Sequence, residues 1–155
     1  MTLNDRLLED MKTAMKGKEE TKLALSVIRM VRAAVKNAEI DKHRPLTDDE
    51  ILDLLVREVK MRQDSADSIP VHEREVRRDF LNQLEAEKAI IRTYLPEPLT
   101  EAELRDAVAD AIAESGAATI KDMGRVMSAL MPRVKGRADG KLVNQLVKEM
   151  LSPKG

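Results

Sequence analysis

Leu95-Pro-Glu-Pro-Leu-Thr-Glu-Ala-Glu103 decides how this chain is divided. Pro96 and Pro98 stand too close together for a regular helix to run through them, because each lacks an amide proton and its ring crowds the turn before it. Thr100 then opens a new helix. Its hydroxyl can accept an orphan amide while Glu103 reaches back, which is the spacing of a capping box. The junction therefore falls at about 95–99, and residues 1–96 and 97–155 read as two helical domains.

Upstream, apolar residues recur at helical spacing. Leu3, Leu7, Met11 and Ala14 mark a first helix from after Thr2 to Lys16, with Gly17 just past its end. Leu23, Val27, Met30, Val31, Ala34 and Ala38 mark a second, which stops near His43 because Pro45 disfavours helix before it. Thr47-Asp-Asp-Glu50 is another capping box and starts a third helix with Ile51, Leu55 and Val59 inward, broken at Ser68-Ile-Pro70. Phe80, Leu84, Ile91 and Leu95 mark a fourth. Downstream of the junction, Leu104, Val108 and Ile112 face inward up to Gly116. Two shorter helices follow: one over 120–131 with Met123, Met127 and Leu130 inward, and one over 139–151 with Leu142, Val143, Leu146 and Met150 inward. The reading is all-α, with an N-terminal bundle of long helices and a smaller C-terminal three-helix domain.

Composition narrows the chemistry. With 43% hydrophobic residues, and Phe80 and Tyr94 the only aromatics, the cores must come from Leu, Ile, Val, Met and Ala, which favour helices. Zero cysteines remove disulfides, thiolate catalysis and Cys-ligated metals. The polar, acidic start and the lack of long apolar runs predict neither a secretory signal nor a membrane span, so the cytoplasm is the expected compartment. A net charge of −1 conceals local excesses of +5 over 12–44 and +5 over 121–155.

The second excess centres on Arg133-Val-Lys-Gly-Arg-Ala-Asp-Gly-Lys-Leu-Val-Asn-Gln-Leu-Val-Lys148, where Gly136 and Gly140 allow a turn to present cations beside a helix start. Arg133, Lys135, Gly136, Arg137, Gly140, Lys141, Asn144 and Lys148 are the candidate residues for nucleic-acid phosphates, supported by Lys121. The competing reading is a solvated turn whose cations pair with the acidic helix at 101–114. Gly136-Arg-Ala-Asp-Gly140-Lys141 is not a P-loop, since three residues separate the glycines and Leu142 stands where Ser or Thr would bind magnesium. Arg29, Arg32 and Lys36 form a possible second surface at i, i+3, i+7 spacing. Scarcity of aromatics argues against base stacking and for recognition of a folded RNA's backbone.

The same stretch, with Lys121-Asp-Met-Gly-Arg-Val-Met-Ser-Ala-Leu-Met-Pro132, Ser26-Val-Ile-Arg-Met-Val-Arg-Ala-Ala-Val-Lys-Asn-Ala-Glu39 and Tyr94-Leu-Pro-Glu-Pro-Leu99, resembles the YqeY family along nearly the whole chain. The pattern at 135–144 also resembles the tail of GatB, a subunit of the tRNA-dependent amidotransferase. The resemblance implies a C-terminal domain of GatB/YqeY type and association with tRNA. It also attracts the activity of a carbon–nitrogen ligase using glutamine as amide donor, but only a tail is shared and no local nucleophile and base pair replaces the catalytic part. The expected function is a non-catalytic accessory protein binding tRNA or structured RNA, without cofactor, metal or catalytic residues. The alternative is a helical adaptor for an amidotransferase, an aminoacyl-tRNA synthetase or another protein. His43 and His72 read as surface residues, and Asp48, Asp49 and Glu50 as acids complementing a helix dipole rather than metal ligands.

Overall fold

A computed structural model describes residues 1–151. Among them there are seven α-helices, three short 3-10 turns and no strand. Contacts fall into two compact units, Met1–Leu95 and Pro96–Gly155, each with its own hydrophobic core.

The first unit contains α1 (Leu3–Lys16), α2 (Lys22–Lys42), α3 (Asp48–Asp67) and α4 (Arg78–Arg92). Thr2 caps α1 and Thr47 caps α3, each in a full capping box, with Asp5 and Glu50 returning the bond. Pro45 is only part of why α2 ends. His43 takes a left-handed conformation at φ 56°, so its own amide and that of Arg44 turn back onto the carbonyls of Ile40 and Glu39. Lys42 and Arg44 then both bind Glu50, clasping the end of α2 to the start of α3. The Arg44 hydrogen bond, followed by that of Lys42, holds the Glu50 carboxyl far below the usual carboxylate range. Leu7, Val27, Val31, Ile51, Leu55 and Ile91 form the centre of the core, with Val35 and Ile28 beside them. Tyr94 is also buried; its hydroxyl bonds Asp10 and the Arg6 guanidinium lies 4.5 Å from its ring centre. Burial, and then the Asp10 contact, push its hydroxyl well above the usual phenol range.

Two inward assignments are corrected. Met30 is 37% exposed and Phe80 41% exposed. Phe80 stands in the first turn of α4, where the Arg77 guanidinium covers one face of its ring at 5.0 Å. Met30 gives its sulfur to Arg62 rather than its whole side chain to the core. Charged residues occupy the space that apolar spacing had left unassigned. Arg62 is buried between Glu58, at 2.8 Å, and Glu87, at 3.0 Å, while Lys88, only 1% exposed, bonds Gln63 and Glu85. This network joins α3 to α4.

In the second unit, α5 (Glu101–Ser115), α6 (Met123–Val134) and α7 (Gly140–Leu151) pack around Leu104, Val108, Val126, Leu130, Val143 and Val147. Thr100 caps α5 by accepting the Glu103 amide, and Gly116 ends it at φ 68°. Helix α6 runs through Pro132 to Val134. Pro132 lies in the last turn, so the missing amide costs a single helical bond near an end rather than a break in the middle. The inward stripe of α7 is also corrected. Leu142 and Met150 are 41% and 37% exposed, whereas Val143, Leu146, Val147 and Leu151 are buried. The buried arc is centred about one residue later than the apolar pattern suggested.

Candidate functional site

The candidate site lies where α6 passes into α7. Val134, buried at the end of α6, accepts the Arg137 amide at 2.8 Å across Lys135 and Gly136. Lys135 has φ −56° and ψ 123°, and Gly136 has φ 73°. These are the angles of a type II turn, whose third position calls for glycine. Gly140 is different: it is the first residue of α7, is not among the residues with positive φ, and a Cβ there would meet nothing within 4 Å. Gly136→Ala should therefore cost about 1–2 kcal/mol, while Gly140→Ala should gain about 0.4–1 kcal/mol by reducing the freedom of the unfolded chain. Urea midpoints of the two variants, moving in opposite directions, would check this.

Arg137 is a clasp. Its Nε donates to the Glu97 carbonyl at 2.9 Å and its carbonyl accepts the Leu99 amide at 2.8 Å. The basic turn is thereby stitched to the segment that leads into α5. Arg133 pairs with Glu114 of α5, as the solvated-turn reading anticipated, and that hydrogen bond raises the guanidinium pKa. Asp139 caps α7, with its carbonyl accepting from Val143 at 3.0 Å and its Oδ1 from Lys141 at 3.2 Å. A carboxylate of the chain thus occupies the Lys141 amide, one of those that an anion at the helix start would use.

One side of α7 faces outward. Lys141, Asn144 and Lys148 are all exposed and follow i, i+3, i+7 spacing, which puts them on one stripe about 10 Å long. Gln145, beside them, donates to Glu149 at 3.4 Å. Lys121 is exposed in the 3-10 turn before α6, and Lys135 is half-buried. On α2, Arg29 and Lys36 are exposed but Arg32 is partly buried and turned to α1, where its Nη1 meets the Met11 sulfur at 3.1 Å.

Asp122 is an anchor for this half of the chain. Its Oδ2 accepts the Ala118 and Thr119 amides at 3.0 and 3.3 Å, and Oδ1 binds Arg125 at 2.6 Å. The Ala118 amide, then Arg125 and Thr119, lower its pKa from 3.8 to about 2. A carboxylate depressed in the folded state stabilises the fold above its unfolded pKa and loses that contribution as pH falls through the folded value. Melting temperature should accordingly drop on acidification from pH 3.8 to about 2, and Asp122→Asn should flatten that drop while lowering the plateau above it; circular dichroism melts at several pH values check this.

A shallow open groove between α5 and α6 is lined by Glu114, Ser115, Gly124, Arg125, Ser128 and Ala129. Among the described residues no three His, Asp or Glu side chains converge as metal ligands. Asp48 accepts the Leu3 amide, Glu50 is held by Arg44 and Lys42, and both histidines are exposed. No helix of the described residues is long and apolar enough to cross a membrane.

The profile of the Yqey-like protein family matches residues 4–151. Altered inheritance of mitochondria protein 41, mitochondrial, from Pyrenophora tritici-repentis (strain Pt-1C-BFP), is 30% identical over 154 residues, which cover 96% of this chain and 81% of that protein.

Proposed function

Because the chain belongs to the Yqey-like protein family, we propose that it is a non-catalytic accessory protein whose second unit binds tRNA or another structured RNA. The observation that carries this reading is the outer stripe of α7, where Lys141, Asn144 and Lys148 stand exposed together. Lysines neutralise phosphates and the amide bonds sugar or phosphate oxygens, a combination that reads backbone rather than base. Arg137 and Gly136 act as positioning residues, since they set the turn from which α7 starts. Arg133 contributes less to the RNA because Glu114 neutralises it.

Equilibrium titration of nuclease-cleared protein with total tRNA and with duplex DNA of the same length, across several salt concentrations, tests the reading. Tighter binding to tRNA with a multi-charge salt slope supports it. Weak or indiscriminate binding sinks it and brings forward a helical adaptor for an amidotransferase, an aminoacyl-tRNA synthetase or another protein. One observation favours that second reading: Val71 and Val76 are 86% and 89% exposed, near the half-exposed Phe80 in sequence. The proposed compartment is the cytoplasm; the relative's name says mitochondrial, so imaging of the tagged protein in cells decides between them.

A further inference from the structure

Arg32 lies midway along α2 with its charge in poorly matched company. Its Nη1 donates to Sδ of Met11, on α1, at 3.1 Å, and its Nε is buried without a hydrogen-bond partner. A thioether is a weak acceptor, whereas a guanidinium ordinarily forms charge-assisted bonds to oxygen. Met11 packs against the first core but is only half-buried. Arg62 supplies an internal comparison. It donates to the Met30 sulfur at 3.2 Å in the same way, yet it also binds the carboxylates of Glu58 and Glu87. An added oxygen on Met30 would meet a cation that is already satisfied. On Met11 it would meet one that is not.

We propose that Met11 is a site of reversible oxidation whose sulfoxide oxygen is held by Arg32. The oxidant is hydrogen peroxide. The sulfur lone pair attacks one peroxide oxygen, an S–O bond forms as the O–O bond breaks, and the displaced hydroxide takes the proton from the new S–OH group to leave as water. Sulfur loses two electrons and the peroxide gains them. Reduction by a dithiol enzyme of the methionine sulfoxide reductase type returns the thioether, with the oxygen leaving as water and the two thiols becoming a disulfide. Sulfoxide in a core is ordinarily disruptive, because a strong acceptor is buried without a donor. Here the donor already points at the atom that changes, so oxidation strengthens the contact between α1 and α2.

Full-length protein treated with dilute hydrogen peroxide, mapped by peptide mass spectrometry and melted by circular dichroism, is the test. Met11 should take up one oxygen while the protein stays folded. Met11→Gln, which puts a carbonyl acceptor near the sulfoxide position, should melt roughly 2–8 °C above Met11→Leu, and that difference should vanish in an Arg32→Leu background. Met11 remaining unoxidised in folded protein whose Met30 has reacted would overturn the proposal. So would a Met11→Gln protein melting no higher than Met11→Leu, a comparison that stands whether or not the Arg32→Leu chain folds.

Discussion

Arg62→Leu should destabilise the first unit by about 3–5 kcal/mol, the range seen when one partner of a buried ion pair is removed. The guanidinium is buried between Glu58 and Glu87, whose side chains are 14% and 15% exposed. Without it, two carboxylates sit in a poorly solvated cleft between α3 and α4 with no cation between them. Adding Glu58→Gln and Glu87→Gln to the Arg62→Leu chain should recover part of the loss, because neutral amides cost less to bury than unpaired charges. Urea unfolding of the three proteins measures it. A loss for Arg62→Leu below about 1 kcal/mol, the size of a solvated surface pair, would show that water reaches the network.

The second large effect concerns α7. Replacing Lys141 and Lys148 together with Gln removes two cations from the exposed stripe and leaves Val143, Leu146, Val147 and Leu151 in the core. If each lysine meets a phosphate, the slope of log affinity against log salt should become shallower by about 1.8 for a duplex-like backbone. Raising salt from about 50 to about 200 mM should then cost the variant about twelvefold less affinity than it costs the native chain. Binding should weaken by a similar factor across different RNAs, since phosphate contacts carry no sequence information. Far-ultraviolet circular dichroism should be unchanged. An identical salt slope in both proteins would remove α7 from the interface. Arg137 is a poor choice for the same experiment: its clasp on Glu97 and Leu99 would be lost along with its charge.

Helix starts and stops were legible where a local cap marks them, whereas α6, expected over 120–131, runs Met123–Val134 after a 3-10 turn. Thr2, Thr47, Thr100 and Gly116 cap the helices that their spacing marks, since a cap is written within four residues of its partner. The inner faces were legible where a helix is covered along one side, as at Leu7, Val31, Leu55 and Val108, and misread where the cover ends or is polar, as at Met30, Phe80, Leu142 and Met150. Lys88 and Arg62 escaped because charged residues on a helix ordinarily mark its wet face. Their spacing from Glu85 and Glu58, three and four residues away, was the available signal, though the same spacing is common on surfaces. At the candidate site, the cations could be named but not sorted. Glu114 lies 19 residues from Arg133 and Glu97 lies 40 from Arg137, so only the folded chain shows that these two cations are engaged inside the protein.

Tyr94, clasped between Arg6 and Asp10, has a spectroscopic consequence. The chain contains one tyrosine and no tryptophan, and that tyrosine belongs to the first unit. Its emission, in a buried site beside a carboxylate acceptor, rises or falls with the opening of α1 from the end of α4 and has no counterpart in the second unit. Monitored alongside circular dichroism, which registers every helix, this single intrinsic fluorophore distinguishes one melting transition from two without a label. A tryptophan introduced at Leu142, exposed on α7, would give the second unit a reporter of its own.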